Sequence, residues 1–216
     1  GDWGDAPAES EAAEAEDAKP VAEPVNEDAR DLARPPEPAS AGTRTGEPQW
    51  IDLLTGADTT GWRFAHGRPT LLDGGIELSG RIDCWHPGTW TAYELECELF
   101  FVRANGQQVG CLGLSSPKLG RGHTRALLVF HTDGDLHVYV GRRKVWYSGS
   151  GTFPLGAWHR IRIEMSDTSM SIVANGTRHT TLDISGAANT PGGVILYTSG
   201  GTFRARNVRL RPEPGR

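Results

Sequence analysis

The sequence predicts an all-β protein, a jelly-roll β-sandwich of two antiparallel sheets behind a disordered or extended N-terminal arm. From Trp50 onward, short runs of alternating apolar and polar residues are separated by Gly, Asn and Asp. Such alternation is typical of strands that turn one face to a core. No run with a helical period longer than two turns occurs in this part of the chain. Roughly ten to twelve short strands in one body favour two packed sheets.

Three hairpins are predicted where Gly follows Asp or Asn between two alternating runs. The turns are expected at Asp73-Gly74-Gly75, Asp133-Gly134 and Asn175-Gly176, because these pairs adopt the backbone conformations that tight hairpin turns require. Further strands are expected in WTAYELECELFFV, QVGCLGLS, HRIRIEM, GGVILYT and FRARNVRLR. We assign residues 49–212 to the sandwich and residues 213–216 to a short tail.

Residues 1–48 form the arm, and their charge differs from that of the body. They hold 13 acidic and 4 basic residues, a net charge of −9, whereas the remaining 14 acidic and 18 basic residues give +4. An Ala-, Glu- and Pro-rich segment with little apolar bulk cannot offset its ordering entropy. Acidic tethers of this kind join exported domains to membrane anchors, so we expect an exported, periplasmic or cell-envelope protein. A featureless leader is the alternative. Trp3 is the arm residue expected to contact a partner.

Composition excludes several other classes. The arginines alternate with apolar residues and form no basic block, so nucleic acid is not an expected partner. No apolar run reaches the about 18 residues of a membrane span, so membrane contact would be indirect or through an anchor preceding Gly1. The cysteines Cys84, Cys97 and Cys111 contain no C-x-x-C pair, which excludes a zinc ribbon or a thioredoxin motif. Cys97 and Cys111 are expected on neighbouring strands and could pair, although burial as small hydrophobes is favoured. No cofactor is expected.

Three glutamates at alternate positions, Glu94, Glu96 and Glu98, raise the question of catalysis. Their spacing in YELECELFF is that of the E-x-D-x-E strand of retaining β-glucanases. Alternate strand residues share a face, so the three carboxylates are expected to point away from the core. Three like charges in a row need cationic neighbours, and HRIRIE and FRARNVRLR supply arginines. A ladder of cross-strand Glu–Arg pairs is therefore favoured, with catalytic glutamates as the alternative.

Three stretches together resemble the 3-keto-disaccharide hydrolase-like domains. WIDLLTGADTTGWRF resembles their opening L-F-N-G-x-D-L-x-G-W, and GAWHRIRIEM followed by SIVANG resembles their G-x-W-N-x-x-x-I strand and the next strand ending in N-G. GGVILYTSGGTFRARNVRLRP is similar to their closing G-x-I-x-L-Q-x-x-G-x-x-V-x-F-R-N-I-R-I. The resemblance covers residues 50–212 in family order. It implies a concanavalin A-like sandwich that is extracytoplasmic and binds or acts on sugars.

The sequence also departs from that family. The usual N-S-G-x-x-x-R element corresponds to RANGQQVGCLGLSS, where Asn105-Gly106 is retained but no arginine ends the following strand. The long loops that follow in the family are reduced to SPKLGRGHT. Since loops carry the site on such a scaffold, their loss argues against retained catalysis.

Aromatic residues are the other candidate contacts. Trp85 and Trp90 are expected in a loop-like segment, DCWHPGTW, and Trp146 and Tyr147 end another run. Exposed aromatic rings stack on sugars and also anchor protein partners. For Trp85, Trp90 and Trp146, a place at the edge of the core is equally open. His131 and His137 flank the Asp133-Gly134 turn, where a metal site is conceivable but an ordinary polar turn is favoured.

These observations favour a non-catalytic accessory or structural subunit of an envelope- or membrane-associated assembly. The arm and the sandwich would each bind other protein subunits. The alternative is a carbohydrate-binding protein or a glycoside hydrolase of the 3-keto-disaccharide type. Enzymatic activity is not favoured, because the site-bearing loops are short and the glutamates are expected to be paired with arginines.

Overall fold

The computed structural model describes residues 48–103, 106–118 and 124–213, and strands are the only regular elements in these ranges. The strands are β1 (Ile51–Leu54), β2 (Arg63–Ala65), β3 (Thr70–Leu72), β4 (Gly75–Trp90), β5 (Tyr93–Arg103), β6 (Gln108–Ser116), β7 (Ala126–His131), β8 (Leu136–Val140), β9 (Arg143–Tyr147), β10 (Trp158–Met165), β11 (Ser169–Ala174), β12 (Thr177–Asp183) and β13 (Gly192–Pro212). The predicted all-β fold is confirmed. Apart from Pro48 and Glu213, the predicted arm and tail lie outside the described residues. Within those ranges no helix could cross a membrane.

Antiparallel pairing orders the strands β12-β11-β10-β5-β13-β6-β7-β8-β9. The C-terminal part of β13 pairs with β5, β1 and the start of β4, and its N-terminal part pairs with β6 and the rest of β4. The first sheet is therefore β12-β11-β10-β5-β13, and the second is β13-β6-β7-β8-β9, extended on the other side of β13 by β4 and then β2. The two sheets share β13 and β4.

Glycines mark the point where both shared strands pass from one sheet to the other. Gly80 in β4 has a φ of 83°, Gly200 in β13 has a φ of 137°, and the ladder register shifts between Ser199 and Thr202. These backbone conformations are open to glycine and strained for other residues. Both irregularities lie at the same level, between the pairs Ser199↔Arg81 and Thr202↔Ser79, and β4 and β13 remain partners on either side of them.

A single apolar core fills the space between the two sheets. Phe101 of β5 and Phe130 of β7 lie in different sheets, yet their ring centroids are 4.6 Å apart. Tyr93 of β5 likewise reaches Ser115 of β6, with the two hydroxyl oxygens 3.2 Å apart. The buried members alternate along each strand, as with Leu95, Cys97 and Leu99 of β5. Each sheet therefore has an inner face in the core and an outer face available for contacts.

The hairpin predictions hold, and two strand predictions need correction. Hydrogen-bonded partners close directly around all three predicted turns: Leu72↔Gly75, Phe130↔Leu136 and Ala174↔Thr177. The two strands expected in GGVILYT and FRARNVRLR are one, β13, because glycines bend the chain without ending its pairing. DCWHPGTW is not a loop but the end of β4, since its partner β13 continues alongside it.

All three cysteines are buried and free. Cys97 and Cys111 lie on β5 and β6, which the sequence placed side by side, but β13 runs between those two strands. Their side chains also point to different places, because Cys97 belongs to the main core and Cys111 to a second apolar cluster. Burial raises the pKa of Cys84 and of Cys97 to about 12 in each case. They act as small hydrophobes, as the sequence favoured.

Candidate functional site

The three glutamates of β5 lie on the outer face of the first sheet, between arginines of both neighbouring strands. On the β13 side the pairs are directly opposite: Arg206 with Glu98, Arg209 with Glu96 and Arg211 with Glu94. The Arg206 Nε to Glu98 Oε2 and Arg209 Nη2 to Glu96 Oε2 distances are both 2.6 Å. Arg211 forms an ion pair with Glu94. The predicted Glu–Arg ladder is thus present on this side.

On the β10 side the pairs are diagonal. Arg160 is opposite Glu98 in register but contacts Glu96, at 3.2 Å from Nη2 to Oε2. Arg162 is opposite Glu96 and forms its ion pair with Glu94. Diagonal neighbours are within reach of long side chains. Glu94 and Glu96 therefore each contact two arginines, and Glu98 contacts one.

A β-bulge makes the β13 side possible. Arg206 and Arg209 are three residues apart, so strict alternation would place them on opposite faces. Asn207 has a φ of 52°, and the register shifts between Arg206 and Arg209. The extra residue restores the two arginines to one face. The sequence indicated arginines here but not the bulge that aligns them.

Because all three glutamates of the ladder are paired with arginines, their carboxylates are poorly suited to act as catalytic acids or bases. Glu94 and Glu96 are buried. Burial alone would raise the pKa of Glu96, but hydrogen bonds from Arg209 and Arg160 outweigh it and lower that pKa. A glycosidase general acid needs a raised pKa. A depression of about 300 Å³ beside the bulge is lined by Asp52, Thr55 and the same paired charges. This geometry favours a structural role for the three glutamates.

Aromatic rings cover the arginines of the ladder. The guanidinium of Arg206 lies 3.9 Å from the ring centroid of Trp158, and that of Arg209 lies 4.5 Å from the ring centroid of Trp50. These contacts hold the arginines over the sheet. Trp50 and Trp158, which the sequence did not single out as contacts, thus belong to the ladder rather than to a binding cleft.

The outer face of the second sheet is different in character. Its residues form two rows across the strands, in which each residue is directly opposite the next in the ladder register. The first row is Arg63, Trp85, Ile195, Gly113, Leu127, Tyr139 and Lys144, and the second is Ala65, Asp83, Tyr197, Cys111, Val129, His137 and Tyr147. By the same alternation, Arg81 of β4 and His131 of β7 share this face. We call it the aromatic–histidine face.

This face has an apolar floor and a more exposed rim. Trp85 and Tyr197 are buried with Cys111, Val129 and Ile195 in a cluster separate from the main core. Tyr139 is half-buried against that cluster, whereas Tyr147 is 62% exposed. The Trp85 indole Nε1 donates to the Ser116 carbonyl at 3.2 Å, which fixes its ring. Continuous apolar strands such as GGVILYT are typical of strands buried on both faces, and this is the signal by which the floor could have been predicted.

Two histidines lie at the rim beside Tyr147. The ring centroids of His131 and His137 are 4.0 Å apart, and His137 Nε2 lies 3.0 Å from Asp135 Oδ2. Burial, and then the neighbouring His137, lower the pKa of His131. Burial alone would raise the pKa of Asp135, but hydrogen bonds from Ser148 and the charge of His137 outweigh it and lower that pKa. The site thus offers a carboxylate and imidazole nitrogens beside an exposed ring. Among the residues with described positions, no group of three or more His, Cys, Asp or Glu could hold a metal ion.

The predicted contact residues separate into three groups. Trp85 and Tyr147 lie on the aromatic–histidine face. Trp146, the neighbour of Tyr147, points inward and packs against the main core, and Trp90 also packs there, with its ring stacked on His86 at 6.0 Å between centroids. Trp3 lies outside the described residues. Sequence analysis missed Tyr139, Tyr197 and Arg63, which register alone brings to the face.

The chain has the fold of carbohydrate-binding jelly-roll domains. A carbohydrate-binding module, CBM66 from Bacillus subtilis, superposes with a TM-score of 0.58 at 14% identity, covering 70% of this chain and 96% of the module. A candidate glycosyl hydrolase from Parabacteroides distasonis gives 0.57 at 13%, covering 76% and 100%. The lumenal domain of VIP36, in a form bound to Ca²⁺ and Man2, gives 0.58 at 9%, covering 76% and 88%.

These likenesses establish the fold and no closer relationship. No protein-family model matches the chain, and no curated protein matches it. The concanavalin A-like sandwich implied by the sequence resemblance is therefore confirmed as a fold, whereas membership of the 3-keto-disaccharide hydrolase-like family stays a prediction.

Proposed function

We propose that the β-sandwich is a carbohydrate-binding domain whose ligand lies on the aromatic–histidine face. The observation that carries this proposal is the ladder register, which brings half-buried Tyr139 and exposed Tyr147 to one face together with His137, beside a floor that contains buried Trp85 and Tyr197. Sugar rings present apolar C–H faces and hydroxyl edges, so their sites combine aromatic rings with a few fixed polar groups. The likeness in fold to a carbohydrate-binding module and to a lectin domain supports it.

The polar groups of this face are positioned to accept and donate hydrogen bonds. His137 is oriented by Asp135, and Asp135 is itself held by the backbone N–H groups of Ser148 and Gly149 at 3.0 and 2.9 Å. A side chain fixed in this way loses little conformational entropy when a ligand binds. Exposed Tyr147 offers a ring beside it for stacking.

The proposed activity is binding without hydrolysis. The glutamates of β5 that could act as acid and base lie on the other sheet and are engaged by arginines, and the strands that the structure describes bring no glutamate to the proposed face. Glycoside hydrolysis, including action on 3-keto-disaccharides, is the alternative. The fold likenesses favour a sugar-directed protein over the protein-assembly subunit that the sequence favoured. An exported location would give such a domain access to glycans, and it stays part of the proposal.

A glycan array with the full chain tests the proposal, followed by titration calorimetry on the glycans that bind. We expect Tyr147→Ala and His137→Ala each to weaken binding by about five- to thirty-fold, since each removes a contact of about 1–2 kcal/mol. Tyr147→Phe should retain most of the affinity because its ring remains.

Trp158→Ala serves as the matched control, because it removes a partly exposed ring from the opposite sheet. Loss of binding in Trp158→Ala but not in Tyr147→Ala would place the ligand on the ladder and contradict the proposed face. An array on which no glycan binds would contradict the function itself. Turnover of a 3-keto-glycoside that disappears in Glu94→Gln or Glu98→Gln would establish the alternative.

A further inference from the structure

The outer faces of the two sheets differ in whether their cationic side chains form ion pairs. On the first sheet, seven arginines each contact a glutamate: Arg160, Arg162, Arg178, Arg204, Arg206, Arg209 and Arg211. On the aromatic–histidine face, Arg63, Arg81 and Lys144 are exposed, and none of them forms an ion pair with any other residue that the structure describes. Among the described residues, no carboxylate is therefore paired with the three cations of this face.

The acidic groups near this face are already engaged. Asp135 accepts hydrogen bonds from Ser148 and Gly149 and contacts His137. Asp133 accepts from the N–H of Asp135 and from the Ser150 hydroxyl. Asp83, in the second row, is buried. Because Asp83 and Asp135 are buried, the exposed charged side chains that the strands place on this face are Arg63, Arg81 and Lys144, and the exposed carboxylate of Asp133 lies in the turn before β8.

Two of the three cations of this face contact aromatic rings. The Arg63 guanidinium lies 5.4 Å from the ring centroid of Trp85, and the Lys144 ammonium lies 5.7 Å from that of Tyr147. Arg63 and Lys144 are the two ends of one row, separated by six strand spacings, or about 29 Å at about 4.8 Å each. Arg81 is four residues from Trp85 along β4, about 13 Å away. The charges thus lie at the two ends of the face, Arg63 and Arg81 at one end and Lys144 at the other.

We propose that the ligand of this face is an acidic oligosaccharide that carries carboxylates on several of its sugar units. This inference rests on the proposed carbohydrate-binding function and specifies the class of ligand. Charges at both ends of a face about 29 Å long match a chain with repeated anionic groups better than a single acidic sugar. Arginine forks recognise planar carboxylates through two parallel hydrogen bonds. The rings provide stacking, and the cations select against neutral chains.

Binding of the full chain to four oligosaccharides tests this inference. The probes are oligogalacturonate, its fully methyl-esterified form, a sulfated oligosaccharide of similar length and a neutral glucan. Esterification removes the charge and keeps the sugar, so we expect it to weaken binding by about tenfold or more, since several contacts are lost together. Binding of oligogalacturonate should also weaken as NaCl rises from about 50 mM to about 500 mM, because exposed charges are screened.

Charge-removing variants locate the contacts. Arg81→Gln and Lys144→Gln are each expected to weaken oligogalacturonate binding by roughly two- to five-fold, as suits exposed ion pairs. The matched control Arg178→Gln removes the same charge from the first sheet and should change affinity by less than about twofold. Equal losses in all three variants would mean that only net charge matters, and would overturn the assignment to this face.

The outcomes separate this inference from the function on which it rests. If the methyl-esterified chain or the neutral glucan binds as tightly as oligogalacturonate, the acidic specificity is wrong while carbohydrate binding stands. If the sulfated chain is preferred, the choice of carboxylate is wrong. If none of the four probes binds and no glycan binds on an array, both proposals fall together.

Discussion

Arg206 and Arg209 point to the same side of one strand although three positions separate them. The β-bulge at Asn207 supplies the extra residue that makes this possible, and it gives Glu96 and Glu98 an arginine each, directly opposite. Regular alternation before and after the bulge then places Arg204 and Arg211 on that side as well. One backbone irregularity therefore aligns the whole β13 side of the charge ladder.

The first prediction concerns the backbone at Asn207. Its φ of 52° is in the left-handed region, which Asn tolerates and Gly adopts freely, while other residues are strained there by about 1–2 kcal/mol. We expect Asn207→Gly to leave the free energy of unfolding nearly unchanged and Asn207→Val to lower it by about 1–2 kcal/mol in urea unfolding. Equal stability of the two variants would mean that the bulge does not exist in solution.

The second prediction concerns the pH dependence of the ladder at Glu96. Because its pKa is lowered in the folded state, its charge stabilises the fold above the ordinary glutamate pKa, and this gain is lost as the pH falls through the folded-state pKa. We expect Glu96→Gln to lower the free energy of unfolding by about 1–3 kcal/mol at neutral pH. The difference from the unmodified protein should shrink as urea unfolding is repeated at progressively lower pH.

Glu98→Gln is the control for that series. Glu98 contacts a single arginine and its side chain is 26% exposed, against 10% for Glu96, so its effect should be the smaller of the two. If the loss of unfolding free energy caused by Glu96→Gln stays constant down to acidic pH, the Glu96 side chain stabilises the fold through its shape and not through its charge.

The third prediction concerns the close packing of β13 against β4. A Cβ added at Gly193 would overlap the carbonyl oxygen of His86, whereas one added at Gly186, in the loop after β12, would meet no atom within 4 Å. We expect Gly193→Ala to destabilise the protein by about 3 kcal/mol or more, since the backbone of two paired strands must separate. Gly186→Ala should change the stability by less than about 1 kcal/mol. Thermal unfolding of both variants measures this, and a stable Gly193→Ala protein would contradict the register of β13 and β4.

The fourth prediction concerns thiol reactivity. The pKa of Cys84 and that of Cys97 are each raised to about 12 by burial, so neither forms the reactive thiolate at ordinary pH. We expect neither thiol to react with Ellman's reagent in the native protein at about pH 8. All 3 cysteines should react once the chain is unfolded in the absence of reductant. A count below that number after unfolding would reveal a disulfide and contradict the free thiols of the fold.

Local signals made much of the fold predictable. The hairpins at Asp73-Gly74, Asp133-Gly134 and Asn175-Gly176 depend on turn conformations that two residues determine. The inward and outward faces of β5 follow from alternation alone. The pairing of Glu94, Glu96 and Glu98 with arginines was also predictable, because a row of like charges on one strand requires cations on the next.

Long-range pairing accounts for what was missed. Pro87 and Gly88 made the end of β4 resemble a loop, but β13 pairs along it, with a register shift between Gly192 and Val194. The aromatic–histidine face is assembled from β2, β4, β13, β6, β7, β8 and β9, whose order the sequence does not state. Trp146 and Tyr147 looked equivalent as neighbours, and only the partner strand β8 determines which of them faces outward.

The place of β13 in the chain has a consequence for when the protein can fold. This strand is the last in the sequence, yet it supplies the central pairing of both sheets and contacts β1, β4, β5 and β6. A nascent chain that lacks it holds strands that cannot close around a core. We therefore expect folding to wait until β13 has left the ribosome, and the contacts that complete the fold span most of the described chain, which slows folding. Until that moment the unpaired edges of β5 and β6 are exposed, and chaperone binding during synthesis would protect them.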